Sequence, residues 1–492
     1  MTNKKIISVI LISVILILVL ILFSACGNIR SDKKDDADMT ENSVAEGLIS
    51  AEIDYYKNVP NGANYDGYAF KVLTWDPAVD GWNPYIIVEE ITGEVLNDAA
   101  YDRNMEVMQL LNVEIAYLYK EYGTNIVNTV IKDNAAGDCS YDIVLPWGGR
   151  SNAPNLILQN QLYDWNKVPY VDLEADWYNQ TANDAYTVNG KQYLCVSDLT
   201  YPLHNTFSIL FNKDLFTDYG LDYPYQLVYD GKWTFDVFSG YIKDFYADLN
   251  GNGKTDSGDR FGISAYLSCF ASMLYDWGEE PIKIGENGFV LNIFNERISS
   301  IIDKLYGLVN SQDVFYEDSM TVYDVFYSGN SLFVTYGSDP IMLRDIDFDF
   351  GYLPDPKFDE MQERYIQEAS GGWMGIPISR TVDEVKRTGG IFEAMSAASS
   401  KYVADAFAKK YIENKVLRDE DSVNMFHIMR EGAFYQRARF FDTTDLLNSH
   451  QFYYIQILQS KNGSVNLASQ YAKNIDKLQT TLDGVYKMIS EN

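Results

Sequence analysis

Three apolar segments separated by two helical stretches, all within residues 70–147, constrain the fold more than any other feature of this chain. Phe70-Lys71-Val72-Leu73-Thr74-Trp75, Val113 to Leu118 and Tyr141-Asp142-Ile143-Val144-Leu145-Pro146-Trp147 read as strands, the third as a buried one. Between the first two, Glu94 to Leu111 carries Leu96, Ala99, Ala100, Val107, Leu110 and Leu111 at helical spacing, and a second helix is expected over Asn125 to Asn134. Strand, helix, strand, helix, strand at this spacing demands crossover connections, and so a parallel sheet in an α/β fold. Ligands of such sheets sit beyond the carboxyl ends of the strands. Trp75 and Trp147 both fall there.

Further strands and helices follow. Phe207 to Lys213 reads as a strand, and a helix begins after Trp233, with Thr234 as its N-cap and Phe235, Phe238, Ile242 and Phe245 along one face. Helices are expected over Glu296 to Val309, Val382 to Leu417, Asp419 to Glu431 and Gln451 to Ser490. The globular stretch, from about Tyr55 to Asn492, exceeds one ordinary hydrophobic core, so two lobes are expected.

The start of the chain is of another kind. Lys4 and Lys5 precede an apolar run from Ile6 to Phe23, broken only by Ser8 and Ser13, and Ser24-Ala25-Cys26-Gly27 follow. A basic start, an apolar stretch and small residues are the marks of an export signal. The Cys after them resembles the lipobox of bacterial lipoproteins, in which that residue, here Cys26, is acylated; Phe23 departs from the usual Leu. An uncleaved anchor is the alternative, since the run approaches spanning length. Either way the remainder lies outside the cytoplasm. Residues 27–54 are polar and charged and read as a tether. The formal net charge of −31 argues against nucleic acid and against direct adsorption on anionic lipid. Beyond Cys26, three cysteines remain, Cys139, Cys195 and Cys269, in no metal-binding spacing and able to form at most one disulfide.

Eight segments, in order, resemble the extracellular solute-binding proteins of carbohydrate ABC importers. They are YDIVLPWGGR (141–150), VNGKQYLCVSDL (188–199), FSILFNKDLF (207–216), PYQLVYDGKWTFDVF (224–238), FYSGNSLFVTYGSDP (326–340), FGYLPDPKFDE (350–360), GGWMGIPIS (371–379) and RDEDSVNM (418–425). The resemblance implies a two-lobed periplasmic-binding-protein-like fold of type II, hinged by strand crossovers, with a helical C-terminal part. On that pattern residues 1–26 are a lipoprotein signal peptide, 55–203 the first part of lobe one, 204–371 the first part of lobe two, 372–430 a return to lobe one, and 431–492 C-terminal helices on lobe two. It implies a monomer at the outer face of the cell membrane, held by its lipid alone. Such a protein closes on a carbohydrate, an oligosaccharide more than a monosaccharide, and passes it to a membrane permease. A peptide or another polar solute fits the same fold.

A sugar site needs aromatic platforms edged by groups that make several hydrogen bonds. Trp147 and Arg150 combine both at a strand end. The resemblance places Trp147 in the cleft, with a core position as its alternative. Trp75, Asp198, Tyr201, Asn205, Trp277, Asp339 and Trp373 complete the expected ligand contacts, while Trp82, Trp165, Trp177 and Trp233 are read as packing residues. His204 also stands at the first crossover.

Asp248 to Asp259 fits the twelve-residue calcium-loop template. Asp248, Asn250, Asn252, Asp256 and Asp259 stand at the side-chain positions, Lys254 supplies a main-chain carbonyl, and Gly253 makes the sharp turn. Asp259 replaces the usual Glu. A structural Ca²⁺ is expected here, with a polar turn as the alternative. No HExxH, GxSxG or phosphate-binding motif occurs, and the only histidines are His204, His427 and His450. No enzyme activity is expected, although a glycosidase carboxylate pair is not excluded by counting acids.

Overall fold

The computed structural model describes residues 53–75, 86, 88–121, 126–145, 153–200, 207–317, 319–336, 343, 346–369, 375–408, 417–442, 452–460 and 465–491. The apolar run, Cys26 and residues 27–52 of the tether lie outside them.

The first sheet takes the expected form. Strands β1 (Tyr68–Trp75), β2 (Val113–Lys120) and β3 (Ile143–Val144) pair in the order β2-β1-β3, all parallel. Helix α1 (Val95–Leu111) crosses from β1 to β2; Glu94 caps it by accepting the Leu96 N–H, and Asn112, at φ 48°, stops it. Helix α2 (Ile126–Ala136) makes the second crossover. The third strand is shorter than its apolar pattern suggests. The Asp142 carboxylate takes the Lys71 N–H at 2.9 Å, so a side chain does what a ladder bond would do, and strand pairing begins at Ile143. Pro146 and Trp147 lie outside the described residues.

A second, five-stranded sheet is built from β4 (Ser208–Asn212), β5 (Phe261–Ala265), β6 (Val314–Tyr316), β7 (Ser331–Tyr336) and β8 (Phe350–Leu353), in the order β6-β5-β7-β4-β8. It is mixed: β5 runs parallel to β6 and β7, and β4 runs antiparallel to β7 and β8. Every residue of β4 and β5 is buried, as in a sheet covered on both faces. Helices α3 (Phe235–Ile242), α4 (Leu267–Asp276) and α5 (Glu296–Val309) belong to this part of the chain. Thr234 does precede α3, but its side chain makes no capping bond. The start of α3 is fixed instead by main-chain pairing, Phe235 N–H to Lys357 O at 2.8 Å and Lys357 N–H to Trp233 O at 3.0 Å.

Two of the three expected C-terminal helices are interrupted. Helix α6 (Val385–Ser399) passes into a π-helical turn at Ser400–Ala404, and residues 409–416 lie outside the described part. After α7 (Glu420–Glu431), the stretch expected as one helix is two, α8 (Phe452–Leu458) and α9 (Leu467–Glu491). Helix α9 buries Leu467, Leu478, Leu482, Val485 and Ile489. It is tied to two separate hairpins. Asn189 of the Thr187–Gln192 hairpin donates to Ser490 Oγ at 2.7 Å. Gln479 donates to Phe289 O at 3.2 Å in the Ile282–Leu291 hairpin, where Tyr486 also packs on the Phe289 ring. The first of these hairpins turns on Asn189 and Gly190, at φ 52° and 70°, a pair that the two-residue turn requires. Cys139, Cys195 and Cys269 are free. Among the described residues no helix is long and apolar enough to cross a membrane.

Candidate functional site

Three chain segments run between the parts that carry the two sheets, and they meet. The first leads from Tyr193 through Thr200 toward β4. The second contains β9 (Gln367–Glu368) and resumes at Gly375. The third contains β10 (Ala433–Phe434), which pairs parallel with β9. Cys195 and Ile376 form an antiparallel bridge, and Trp165 Nε1 donates to Ile376 O at 2.8 Å. At Gly375 the first and third segments come close: a Cβ there would lie 3.1 Å from Leu194 Cβ and 3.3 Å from the Phe440 ring. Gly432 is more tightly constrained, since its Cβ would fall 2.3 Å from Tyr365 O. Asn179 Nδ2 donates to Tyr435 Oη at 3.0 Å, fixing the third segment to the first part of the chain.

The expected ligand contacts divide around this junction. Trp75 ends β1, half-buried and in register with Lys120. Leu145, after β3, is buried and bonded to Leu73 O; Trp147 and Arg150 follow it immediately and lie outside the described residues, as do Tyr201, Asn205, Asp339 and Trp373. Asp198 is described. Its N–H donates to Trp177 O at 2.9 Å, and its side chain is partly covered with the carboxyl turned inward. Burial pushes that carboxyl up to about 6, with the Ser400 hydroxyl and the Arg430 charge pulling the other way.

Trp277 is placed in the core, 2% exposed. Phe235 and Phe358 pack against its ring at centroid distances of 5.1 and 5.3 Å, and its indole N–H donates to Pro356 O at 2.8 Å. So buried a ring offers no open face for a sugar to stack on. Trp165, Trp177 and Trp233 are buried, as read from the sequence.

Two recesses stand out in the described surface. One, of about 770 Å³, runs along Phe294, Asn295, Ser299, Asp303 and Lys304. The other, of about 310 Å³, lies beside the third segment, between Tyr275, Glu280, Lys283, Ile366, Phe434 and Arg437. Neither is lined by an expected ligand contact, so neither takes the place of the junction as the candidate site.

The acid-rich loop is fully described. The Asp248 carboxylate accepts the N–H groups of Gly251 and Gly253 at 2.6 and 2.9 Å. Asn250 and Asn252 accept the next amides but one, Asn252 N–H and Lys254 N–H. The Asn252 amide holds the Asp256 carboxyl below the usual range. Asp259 is buried and bonded to Tyr246 Oη at 3.1 Å and to the Leu249 and Asp256 amides. Among the described residues no group of three or more Asp, Glu, His or Cys side chains is gathered around one point.

Sequence reasoning missed the buried acids of the junction. Asp276, Asp355 and Glu368 are 1%, 3% and 0% exposed. The available signal was an acid set inside an apolar run, Met273-Leu274-Tyr275-Asp276-Trp277. The contacting pair, Asp276 and Asp355, is too deep for a substrate to reach, so it is no glycosidase pair.

Neither a protein-family model nor a curated protein sequence matches the chain. Solved structures do. The ABC substrate-binding protein Lmo0181 from Listeria monocytogenes, in complex with cycloalternan, is 13% identical with a TM-score of 0.54, over 85% of this chain and 99% of that one. The GacH receptor of Streptomyces glaucescens, studied unliganded and with acarbose, is 12% identical with a TM-score of 0.54, over 84% and 99%. A cyclo/maltodextrin-binding protein complexed with maltotetraose is 15% identical with a TM-score of 0.54, over 86% and 96%. Likeness at this identity establishes a shared fold, the two-lobed α/β architecture of type II periplasmic-binding proteins.

Proposed function

We propose, from a fold shared with ABC substrate-binding proteins, that this chain is the extracellular solute-binding component of an ABC importer and that its solute is an oligosaccharide. The observation that carries the reading is coverage: the match spans 99% of a structure named as binding cycloalternan and 99% of one studied with acarbose. In such a protein the solute is held where the connecting segments meet, and closure about them traps it. Trp75, Trp147, Arg150, Tyr201, Asn205, Asp339 and Trp373 are the proposed contacts, with Asp198 at the root of the first segment. Cys26 is the proposed lipid-bearing residue, and a membrane permease the partner that receives the solute. We also propose Ca²⁺ at Asp248–Asp259, supported by the template spacing and by Asp248 holding the amide of Gly253.

Thermal denaturation of the soluble part, from about Ser50, against linear and cyclic gluco-oligosaccharides tests the reading. A solute that binds only the folded chain raises the melting temperature by mass action. A rise with an oligosaccharide, unaccompanied by its breakdown and lost in Trp147→Ala, is the expected result. A rise with peptides alone overturns the sugar assignment, and consumption of the sugar overturns the binding role.

A further inference from the structure

Asp276 is the last residue of α4. Its Oδ1 accepts the main-chain N–H of Glu368 at 2.6 Å. Its Oδ2 is buried and meets no N–H or O–H donor among the described residues. The Asp355 carboxyl stands beside Asp276, within side-chain hydrogen-bonding reach of it. Asp355 is fixed from its other side: Gln367 Nε2 donates to Asp355 Oδ2 at 2.8 Å, and the Asp355 N–H donates to Gln367 Oε1 at 3.0 Å. The Glu368 carboxylate lies close by and accepts from Gln436 Nε2, and the buried Cys269 thiol of α4 faces the same acids. The cations of the flanking segments are engaged elsewhere. Lys357 Nζ donates to Gln362 O at 2.9 Å, and Arg437 pairs with Glu280 at 2.7 Å.

Two carboxylates in contact in a dry interior cannot both stay charged without a cation, because repulsion and lost hydration add. One proton between them turns the repulsion into an O–H···O bond. We propose that Asp276 and Asp355 share a single proton, and that this proton latches the second connecting segment to the five-stranded-sheet part of the chain. The latch acts on β9 at both of its residues, Gln367 through its side chain and Glu368 through its main chain. Residues 370–374 come directly after it, and at Gly375 the chain is already against the first segment. Burial supports the arrangement, raising Asp355 to about 6 and Asp276 well above the usual carboxylate range. The folded chain therefore holds a proton that the unfolded chain releases near pH 4. The stability it confers is full below that pH and is lost as pH rises through the pair's own titration. No solute is needed for the latch, so it stands or falls apart from what the chain binds.

Hydrogen exchange of the soluble chain at about pH 5 and about pH 8, corrected for intrinsic rates, tests it, together with melting curves over the same interval. Protection at residues 367–369 is expected to fall about tenfold or more at the higher pH, with amides of α5 unchanged. Asp276→Asn supplies a permanent donor to Asp355 and is expected to keep that protection at both pH values and to flatten the melting curve. Asp355→Asn makes the same substitution from the other side. Overlapping pH profiles for wild type and variants would overturn the latch. If neither variant folds, infrared spectroscopy of the wild type decides: a buried carboxylic-acid C=O band near neutral pH is required, and its absence refutes the shared proton.

Discussion

Cys195 and Ile376 exchange both main-chain hydrogen bonds, at 3.0 and 2.8 Å, so one bridge welds the first connecting segment to the second. Val144 N–H reaches Pro377 O at 3.1 Å, which joins the end of β3 to the same place. The carboxyl edge of the first sheet is therefore continuous with the segments on which a closing motion would turn. A solute seated at the strand ends would feel any change in them.

Gly432 carries a sharp test of that junction. Its carbonyl accepts the Gln367 N–H at 2.9 Å, and its α-carbon faces the Tyr365 carbonyl too closely for any side chain. Gly432→Ala is expected to destabilise the protein by about 2–3 kcal/mol, through forced main-chain movement. The denaturant midpoint should fall with the m-value unchanged.

Trp277 separates packing from recognition. Trp277→Ala is expected to cost about 3–5 kcal/mol, the penalty for emptying a large core position. At a temperature where the variant remains folded, the oligosaccharide response should persist, measured as the ligand-induced rise in melting temperature. Loss of that response with little loss of stability would return Trp277 to the ligand contacts.

Asp198 gives a second pH dependence, distinct from the Asp276–Asp355 pair. Its carboxyl is raised to about 6 in the fold, so its contribution is complete below about pH 4 and disappears as pH rises through 6. Asp198→Asn is expected to remove that component. The wild-type melting temperature should fall relative to the variant's between about pH 4 and pH 7, and parallel curves would contradict it.

Calcium is tested by chelation. With Asp248–Asp259 occupied, Ca²⁺ at about 10⁻⁴–10⁻³ M is expected to raise the melting temperature reversibly, and chelator to lower it. Asp248→Ala should abolish the response. Insensitivity of the wild type to both additions would leave the loop as a turn held by its own Asx side chains.

Much of the scaffold was legible because its signals are local. The periodicity of α1 and the alternation of strands and helices over residues 70–147 each depend on residues a few places apart. What was not legible depends on distance. Nothing near Tyr141 announces that Asp142 takes the place of a ladder bond to Lys71. Asp276 is one of 70 acidic residues, and only the fold brings it against Asp355. Trp277 shows the same limit. Its type suits a sugar platform, but it is buried, with Phe235 and Phe358 packed against its ring.

Helix α9 has a consequence for how the protein is made. It clasps a hairpin through Asn189 and Ser490, which lie 301 positions apart, and a second hairpin through Gln479 and Phe289, 190 positions apart. A chain emerging from a ribosome or a translocation pore delivers both hairpins long before their cover arrives. Their apolar faces must wait, uncovered, for the segment that seals them. Completion of the fold is thus deferred until α9 has cleared the exit.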